Sequence, residues 1–337
     1  MPTLLHISIA ASPLIILLAL TRPLLKTKVP PRVFLALWLL VMSRLLIPVW
    51  IPVTGNSMKP LLNPIYGGVF NFTQLAVAAA PSRSLLVAVW STAALALLGR
   101  MLVRHLHCRK IWRTALPLER SAVTEWVEKH AGYRRVRVLV IERTNDVISY
   151  GVVRPVIVFS REIVEDHSDY ILTQMAAHEL GHIRGYHTLL QYAVLAVGCV
   201  HWFNPVVWLL IVLFQRDMEL AADASAKRFL GSEGAKGYAA MLLSLSEQAP
   251  KNQFAKSLLA PSLAERIHVY VKSKKTNLKL AIGITIMIIA LLGVLSAVPE
   301  NAMRVDNRHT HYKEEIDHYF ERLENDGYEL FEEAPNV

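Results

Sequence analysis

Ala176-Ala177-His178-Glu179-Leu180-Gly181-His182 lies near the centre of a 337-residue chain, and its spacing governs the reading of everything around it. Residues four apart stand on one helical face, so the imidazoles of His178 and His182 would converge on a single ion with Glu179 beside them. Zinc suits that arrangement. Three protein ligands leave a fourth position for water, the metal brings the pKa of that water toward neutrality, and Glu179 would take its proton during attack on a peptide carbonyl. A bare H-E-x-x-H also occurs by chance on helices that bind no metal, so the pattern needs support elsewhere in the chain.

That support is Arg216-Asp217-Met218-Glu219-Leu220-Ala221-Ala222-Asp223, which puts Glu219 and Asp223 on one helical face. Glu219 is then the natural third zinc ligand. Asp223, one turn on, is placed to accept a hydrogen bond from the ring nitrogen of a ligand histidine that faces away from the metal. The competing reading is a solvated acidic face. Ala221, Ala222 and Ala224 weaken it, because small residues among the acids suit a helix packed closely on another.

Between the two motifs, Thr188 to Phe214 is strongly apolar and is broken by His201-Trp202-Phe203-Asn204-Pro205. A single crossing of a bilayer here would leave the histidines and Glu219 on opposite sides, unable to share one ion. The stretch must return to its starting side, and Pro205 ends or kinks a helix at the point of return. The expectation is a hairpin of two short helices over 188–214, either dipping into the membrane or buried within the domain. Each half is shorter than a span, and the sequence leaves both placements open.

A membrane is expected because the chain is 53% hydrophobic and 19% charged, with its apolar residues gathered into long blocks. Four blocks reach or approach the roughly 20 residues of a transmembrane helix: 4–20, 33–53, 84–103 and 280–298. Arg44 interrupts the second, either as a functional charge or as one that snorkels or pairs for structural reasons. Arg22, Lys26, Lys28 and Arg32 follow the first block, Arg104, Arg109, Lys110 and Arg113 follow the third, and Lys272, Lys274, Lys275 and Lys279 precede the fourth. All three clusters would face the cytosol. The connector from Thr54 to Arg83 carries only Lys59 and Arg83 as basic residues, and the tail after Pro299 is acidic, so both fit the outside. The expected organisation is three transmembrane helices in 1–103, a cytosolic domain in 104–275, a fourth helix at 280–298 and a short extracellular tail at 299–337, with both termini outside. A cleaved signal peptide fits the first block poorly, since no lysine or arginine precedes it.

The net charge of +9 is accounted for by these flanking clusters and anionic lipid. No helix-turn-helix or zinc-finger pattern occurs, so nucleic acid is not an expected partner. Cys108 and Cys199 match no metal motif and fall in or beside the cytosolic part, where disulfides are rare. Within 104–275, a helix-like run from Leu116 to Gly132 precedes the β-rich pieces Val136 to Glu142 and Pro155 to Ser160, and helical segments follow. That order is an α+β domain.

These residues resemble the BlaR/MecR-type signal-transducing membrane metallopeptidases, relatives of the beta-lactam-sensing antirepressors. The resemblance runs from the first span through the fourth. It rests on the three blocks before the domain, Gly151-Val152-Val153-Arg154-Pro155-Val156-Ile157, the HELGH core, Phe203-Asn204-Pro205, Glu219 to Asp223, and Leu263-Ala264-Glu265-Arg266-Ile267. It implies an α-helical membrane protein with an inserted α+β, zincin-like (gluzincin) metalloprotease domain. One zinc ion per chain would be held by His178, His182 and Glu219, with Glu179 as general base and Asp223 behind a ligand. The strand from Pro155 through Val156, Ile157 and Val158 to Ser160 would resemble the edge that pairs with an extended peptide substrate. The implied activity is an endopeptidase on the cytosolic side of a bacterial cytoplasmic membrane, cutting a transcriptional repressor or itself when a signal arrives.

The chain departs from the antirepressors at its C-terminus, where 299–337 is too short for a penicillin-binding domain. No Ser-x-x-Lys pattern occurs either, so direct beta-lactam sensing is not expected. The acidic segment around Tyr312 to Leu323 would contact a separate sensor or form a solvated end. Two other functions stay in view. A membrane quality-control protease resembling HtpX or the CAAX prenyl proteases shares the two-motif site, although the three preceding blocks and Phe203-Asn204-Pro205 favour the antirepressor relatives. A non-catalytic receptor or scaffold would have no chemical need for Glu179. Tyr238 is a candidate oxyanion contact in the substrate site or a packing residue. His187 and His201 lack a paired ligand at helical spacing and are read as polar or interfacial, and His309 and His311 as surface residues. A homo-oligomer is compatible with the sequence, which names neither substrate nor stimulus.

Overall fold

The computed structural model describes residues 2–46, 51–53, 83–119, 121–142, 147–248, 263–272, 279, 282–287, 290 and 297–299. The chain divides into two compact units, Met1–Pro48 with Thr73–Leu292, and Val49–Phe72 with Gly293–Val337. In the second, β1 (Ile51–Val53) pairs in parallel with β6 (Ala297–Pro299). The connector 54–82, His309, His311 and the segment around Tyr312 to Leu323 lie outside the described residues.

The first unit is mostly helical with one small sheet. It opens with α1 (Pro2–Leu25), α2 (Pro31–Leu46) and α3 (Arg83–Trp112). Among the described residues, two helical stretches are long and apolar enough to cross a membrane, Ile7–Leu25 in α1 and Ser84–Lys110 in α3. This corrects the expectation of four spans. α2 has 16 residues, about 24 Å of helix against a hydrocarbon layer of about 30 Å. Pro48 follows in the sequence, where a proline removes the amide a continuing helix needs, and Ile51–Val53, expected in the same span, are extended. Of 280–298, residues 282–287 and 290 are helical, Ala297 and Val298 belong to β6, and the others lie outside the described residues. Arg44 is buried, 4% exposed, inside the helical bundle. α3 leaves Leu85, Val89, Leu95, Leu102 and Val103 exposed, an apolar surface suited to lipid rather than water.

Beyond the sheet come α7 (His187–Val200) and α8 (Pro205–Gln248), the latter broken at Gly231, whose φ of 69° is left-handed. A few polar contacts fix how this hairpin lies. Trp90 Nε1 of α3 donates to the Val200 carbonyl at 2.9 Å, and His105 of the same helix meets the Tyr192 hydroxyl at 2.8 Å. Asn204 Nδ2 donates to the Ser8 carbonyl at 3.1 Å and to the hydroxyls of Ser8 and Ser12 at 2.8 and 3.0 Å, while Arg22 pairs with Asp217 at 2.8 Å. α7 therefore runs antiparallel along α3, and α8 parallel along α1. The hairpin returns to its starting side after about 20 Å, the length of the 14 residues of α7. Asn204 Oδ1 also accepts from the Val206 amide at 2.9 Å, capping α8 ahead of Pro205 at its first position, so Phe203-Asn204-Pro205 both starts this helix and ties it to α1. His201, buried at the tip, donates through Nε2 to the Leu45 carbonyl at 3.1 Å.

The domain contains β2 (Leu116–Pro117), α4 (Ser121–His130), β3 (Arg137–Ile141), β4 (Ile148–Tyr150), β5 (Val156–Ser160), α5 (Arg161–Asp166) and α6 (Asp169–Arg184). The expected helix from Leu116 starts only at Ser121, because Leu116 and Pro117 extend to pair with β3. The strands lie in the order β2-β3-β5-β4, with β3 and β5 parallel and the outer pairs antiparallel. Alternation gives the sheet two apolar faces. Val138, Val140, Ile157 and Phe159 join Val123, Val127, Leu172 and Ala176 in the main core, while Leu139, Ile141, Val156 and Val158 pack with Trp112 and Tyr150.

The expectation that Pro155, Val156, Ile157 and Val158 line a substrate-binding edge is corrected by this topology. β5 is paired on both sides and buried at all five positions, so its amides and carbonyls are committed to β3 and β4. The strand beyond it in the sheet is β4, which turns into β5 through Gly151 at φ +93°; a Cβ there would fall 2.8 Å from the Arg154 carbonyl oxygen. Gly151-Val152-Val153-Arg154-Pro155 is thus a turn that only glycine opens.

Candidate metal centre

α6 carries His178, Glu179 and His182, and the first arm of α8 carries Glu219 and Asp223. Glycine lets these helices approach. A Cβ on Gly181 would sit 2.9 Å from the Ala222 carbonyl oxygen and 3.1 Å from its Cα, so the smallness of Gly181 and Ala222 sets how near the faces bearing His178, His182 and Glu219 come. One ligand atom from each of His178, His182 and Glu219 lies within 4.8 Å of the others. The Nε2 atoms of the two imidazoles are 3.2 Å apart, and the Glu219 carboxylate oxygens stand 3.4 Å from His178 Nε2 and 3.6 Å from His182 Nε2. Glu179, next to His178 on α6, is 9% exposed.

Behind His178 the contacts are ionic. Its Nδ1 is 3.0 Å from Asp223 Oδ1 and 2.9 Å from the Tyr238 hydroxyl, which itself donates to Asp223 at 2.7 Å. α9 (Leu263–Lys272) supplies Arg266, whose guanidinium grips both Asp223 oxygens at 2.6 and 2.9 Å. The neighbouring Glu265 is held from α1 by Arg22 at 3.1 Å and Lys26 at 2.9 Å. Behind His182 there is a second imidazole, with His187 Nδ1 at 3.0 Å from His182 Nδ1. Both ligand candidates thus have Nδ1 engaged by protein and turn Nε2 toward a point shared with Glu219. Two imidazoles and a carboxylate converging in this way are a donor set for zinc or a related divalent ion.

The placement of Tyr238 corrects its reading as an oxyanion contact. It is fully buried and its hydroxyl is spent on Asp223 and His178 Nδ1, on the side of the imidazole opposite the Nε2 that meets Glu219.

Burial opposes charge throughout this cluster, and the partners decide the outcome. His178 is lifted to about 9, because its hydrogen bonds to Asp223 and Glu219 outweigh desolvation, whereas burial leaves His182 below its ordinary value. Glu219 would be raised by burial, but the His182 and His178 imidazoles bring it down to about 2. Asp223 also overcomes burial, through Arg266 above all, and lies well below the carboxylate range. In the metal-free protein Glu219 therefore contributes stability that is present above its ordinary pKa near 4.5 and is lost as pH falls toward about 2. Acid titration of the thermal unfolding temperature should show a loss across that window that is smaller in Glu219→Gln.

The family described as BlaR1 peptidase M56 matches residues 2–270. The chain belongs to this family. Regulatory protein BlaR1 of Bacillus licheniformis is 28% identical over 127 residues, which is 38% of the M56 chain described here and 20% of the relative, so the match spans a fifth of that protein's length. The crystal structure of S. mikatae Ste24p superposes with a TM-score of 0.38 at 16% identity, over 64% of this M56 chain and 67% of Ste24p. Membership in M56 makes the chain one of a family of peptidases, and the His178, His182 and Glu219 cluster is where a metal ion would be held.

Two groups at this M56 site escape a reading by spacing. Arg266 belongs to the Leu263-Ala264-Glu265-Arg266-Ile267 pattern, but its partner Asp223 is 43 residues away, and no local periodicity connects them. His187 has no ligand partner three or four residues along its own helix; its contact with His182 arises across the turn between α6 and α7.

Proposed function

We propose that this protein is a zinc metalloendopeptidase of a bacterial cytoplasmic membrane that cuts a protein substrate on the cytosolic side in a regulatory response. The observation that carries the proposal is the convergence of His178 Nε2, His182 Nε2 and the Glu219 carboxylate within 4.8 Å, beside the glutamate of the H-E-x-x-H pattern. These three residues would hold one zinc ion per chain, and the chemistry zinc supplies when bound is Lewis acidity toward a water and the scissile carbonyl. Glu179 would take the water proton and pass it to the leaving amine. Asp223 would accept the Nδ1–H of His178 and keep that ring in the tautomer whose Nε2 is free to ligate.

The substrate-binding edge assigns better to Ile148–Tyr150 than to 155–158. β4 is the last strand of the sheet, with an outer edge unpaired among the described strands, and main-chain hydrogen bonds along it would align an extended peptide. Its continuation, Gly151 and Val152, lines a small cleft together with His182.

In the membrane, α1 and α3 would cross with their Arg22 and His105 ends on the cytosolic side, as the basic residues that follow each of them favour. The hairpin of α7 and α8 would enter the bilayer beside them, since its contacts reach from the His105 and Arg22 level to the Trp90 and Ser8 level. The regulatory role, with a transcriptional repressor or the protein itself as substrate, takes its support from the family and from the regulatory protein among its relatives.

Replacing Glu219 with alanine tests the centre. Zinc in the purified, detergent-solubilised chain should fall from about one ion per chain to a small fraction of that. Full occupancy in the variant would remove Glu219 from the ligand set, and with it the geometry on which the proposal stands.

A further inference from the structure

The two ligand imidazoles are not supported alike. A histidine that ligates through Nε2 is a neutral ring carrying its proton on Nδ1, and that N–H needs an acceptor to fix the ring's tautomer and direction. For His178 the acceptor is the Asp223 carboxylate at 3.0 Å. For His182 the group facing Nδ1 is His187 Nδ1 at 3.0 Å, with the two rings edge to face at 85° and centroids 4.8 Å apart.

The turn between α6 and α7 is shaped around this contact. His187 is 4% exposed, at the first position of α7. Just before it, Tyr186 adopts φ 53°, ψ 30°, the left-handed conformation that side chains other than glycine adopt at a cost of about 1 kcal/mol. Among the described residues Tyr186 is the one non-glycine with positive φ. Its ring is held by a hydroxyl contact of 2.6 Å with Tyr133 and by the Arg134 guanidinium at 4.5 Å from its centroid, contacts that offset the backbone cost. Gly185 completes the device: a Cβ there would fall 2.3 Å from His187 Nε2 and 2.6 Å from its Cδ2, so only glycine leaves room for the ring to lie back over the end of α6. Gly185-Tyr186-His187 thus spends a strained residue and an obligatory glycine to bring one imidazole onto another.

We infer that His187 is a positioning residue for the metal centre: it accepts the Nδ1–H of His182 on its own Nδ1 and so holds the His182 ring with Nε2 aimed at the ion. The accepting Nδ1 requires His187 to be neutral with its proton on Nε2. His187 does not ligate, since its Nδ1 is turned to His182 Nδ1 and it stands behind that ring. A neutral imidazole withdraws less of the N–H bond than a carboxylate does, so His182 is the weaker electron donor of the two histidine ligands.

The inference rests on the metal-centre proposal and is tested separately from it, by Co(II) and Zn(II) titration of the full chain in detergent. Wild type should bind one equivalent with tetrahedral cobalt absorption bands; absence of binding would end the metal-centre proposal itself. With wild type binding, His187→Leu should weaken Co(II) and Zn(II) affinity by about 10–100-fold and displace the cobalt bands. His187→Asn places an amide oxygen where Nδ1 stood and restores the acceptor, so its affinity should return to within about threefold of wild type. Unchanged affinity and spectrum in His187→Leu would overturn the assignment. So would equal weakening in the leucine and asparagine variants, because a role in packing alone gives no reason for an acceptor atom to rescue. If His187→Leu fails to fold, His187→Ala takes its place as the variant without an acceptor, and the same comparison with His187→Asn decides.

Discussion

Proteolysis by a Glu179→Ala variant is expected to fall by about 10²–10⁴-fold, the usual contribution of a positioned general base, while metal content stays at the wild-type level. The separation of the two readouts follows from the site. His178, His182 and Glu219 gather around one point, and Glu179 is not among the groups that converge there. Removing its carboxylate takes away the proton acceptor and leaves the donors and their supports behind Nδ1 in place. Comparing the proteomes of cells carrying wild type and Glu179→Ala would identify the substrates, as proteins whose fragments vanish with the carboxylate. Undiminished cleavage of those proteins by the variant would refute the assignment of the base, and loss of metal along with cleavage would move Glu179 into the ligand set.

An Arg266→Met variant is expected to lose about 3–5 kcal/mol of folding stability, the cost of leaving one partner of a buried ion pair uncompensated. Asp223 is 2% exposed, and both its oxygens are gripped by the Arg266 guanidinium, which is itself largely covered. Methionine keeps much of the stem volume and removes the charge, so the loss reports the pairing rather than a cavity. A second change, Asp223→Asn, should recover part of the stability in the Arg266→Met background while costing stability on its own, a coupling that a double-mutant cycle reads directly. Denaturation of the single variants and the double variant in detergent checks this. Additive losses with no coupling would mean that the contact contributes nothing beyond its geometry.

The two helical pairs at the site were legible because each is local. His178 with His182 and Glu219 with Asp223 are four residues apart, and helical geometry alone places such pairs on one face. The return of the apolar stretch at 188–214 was legible for a different reason: one ion shared by ligands on either side of it forbids a crossing. What escaped depends on contacts between distant parts of the chain. Ile148–Tyr150 is too short to show an alternating pattern, and the parallel pairing of β3 with β5 means that the order of strands in the sheet differs from their order in sequence. Pro155 to Ser160 reads as a strand from its residues, but nothing in those residues says that it has two neighbours. The count of spans failed where hydropathy runs on past Leu46, the last residue of α2, into the extended Ile51–Val53, because an apolar run does not itself say that the backbone is helical. Tyr238 and Arg266 take their meaning from Asp223, and neither is near it in sequence.

The hairpin also sets an order of events. His182 and Glu219 stand side by side, yet the chain between them travels out along α3 to Asn204 and back along α1 before the third donor arrives. Closing so long a detour means that α7 and α8 must pack against α3 and α1 before His182 and Glu219 can meet. The group of His178, His182 and Glu219 is therefore complete only once both arms of the hairpin have been made and packed, and a chain cut short before Glu219 would lack its third member.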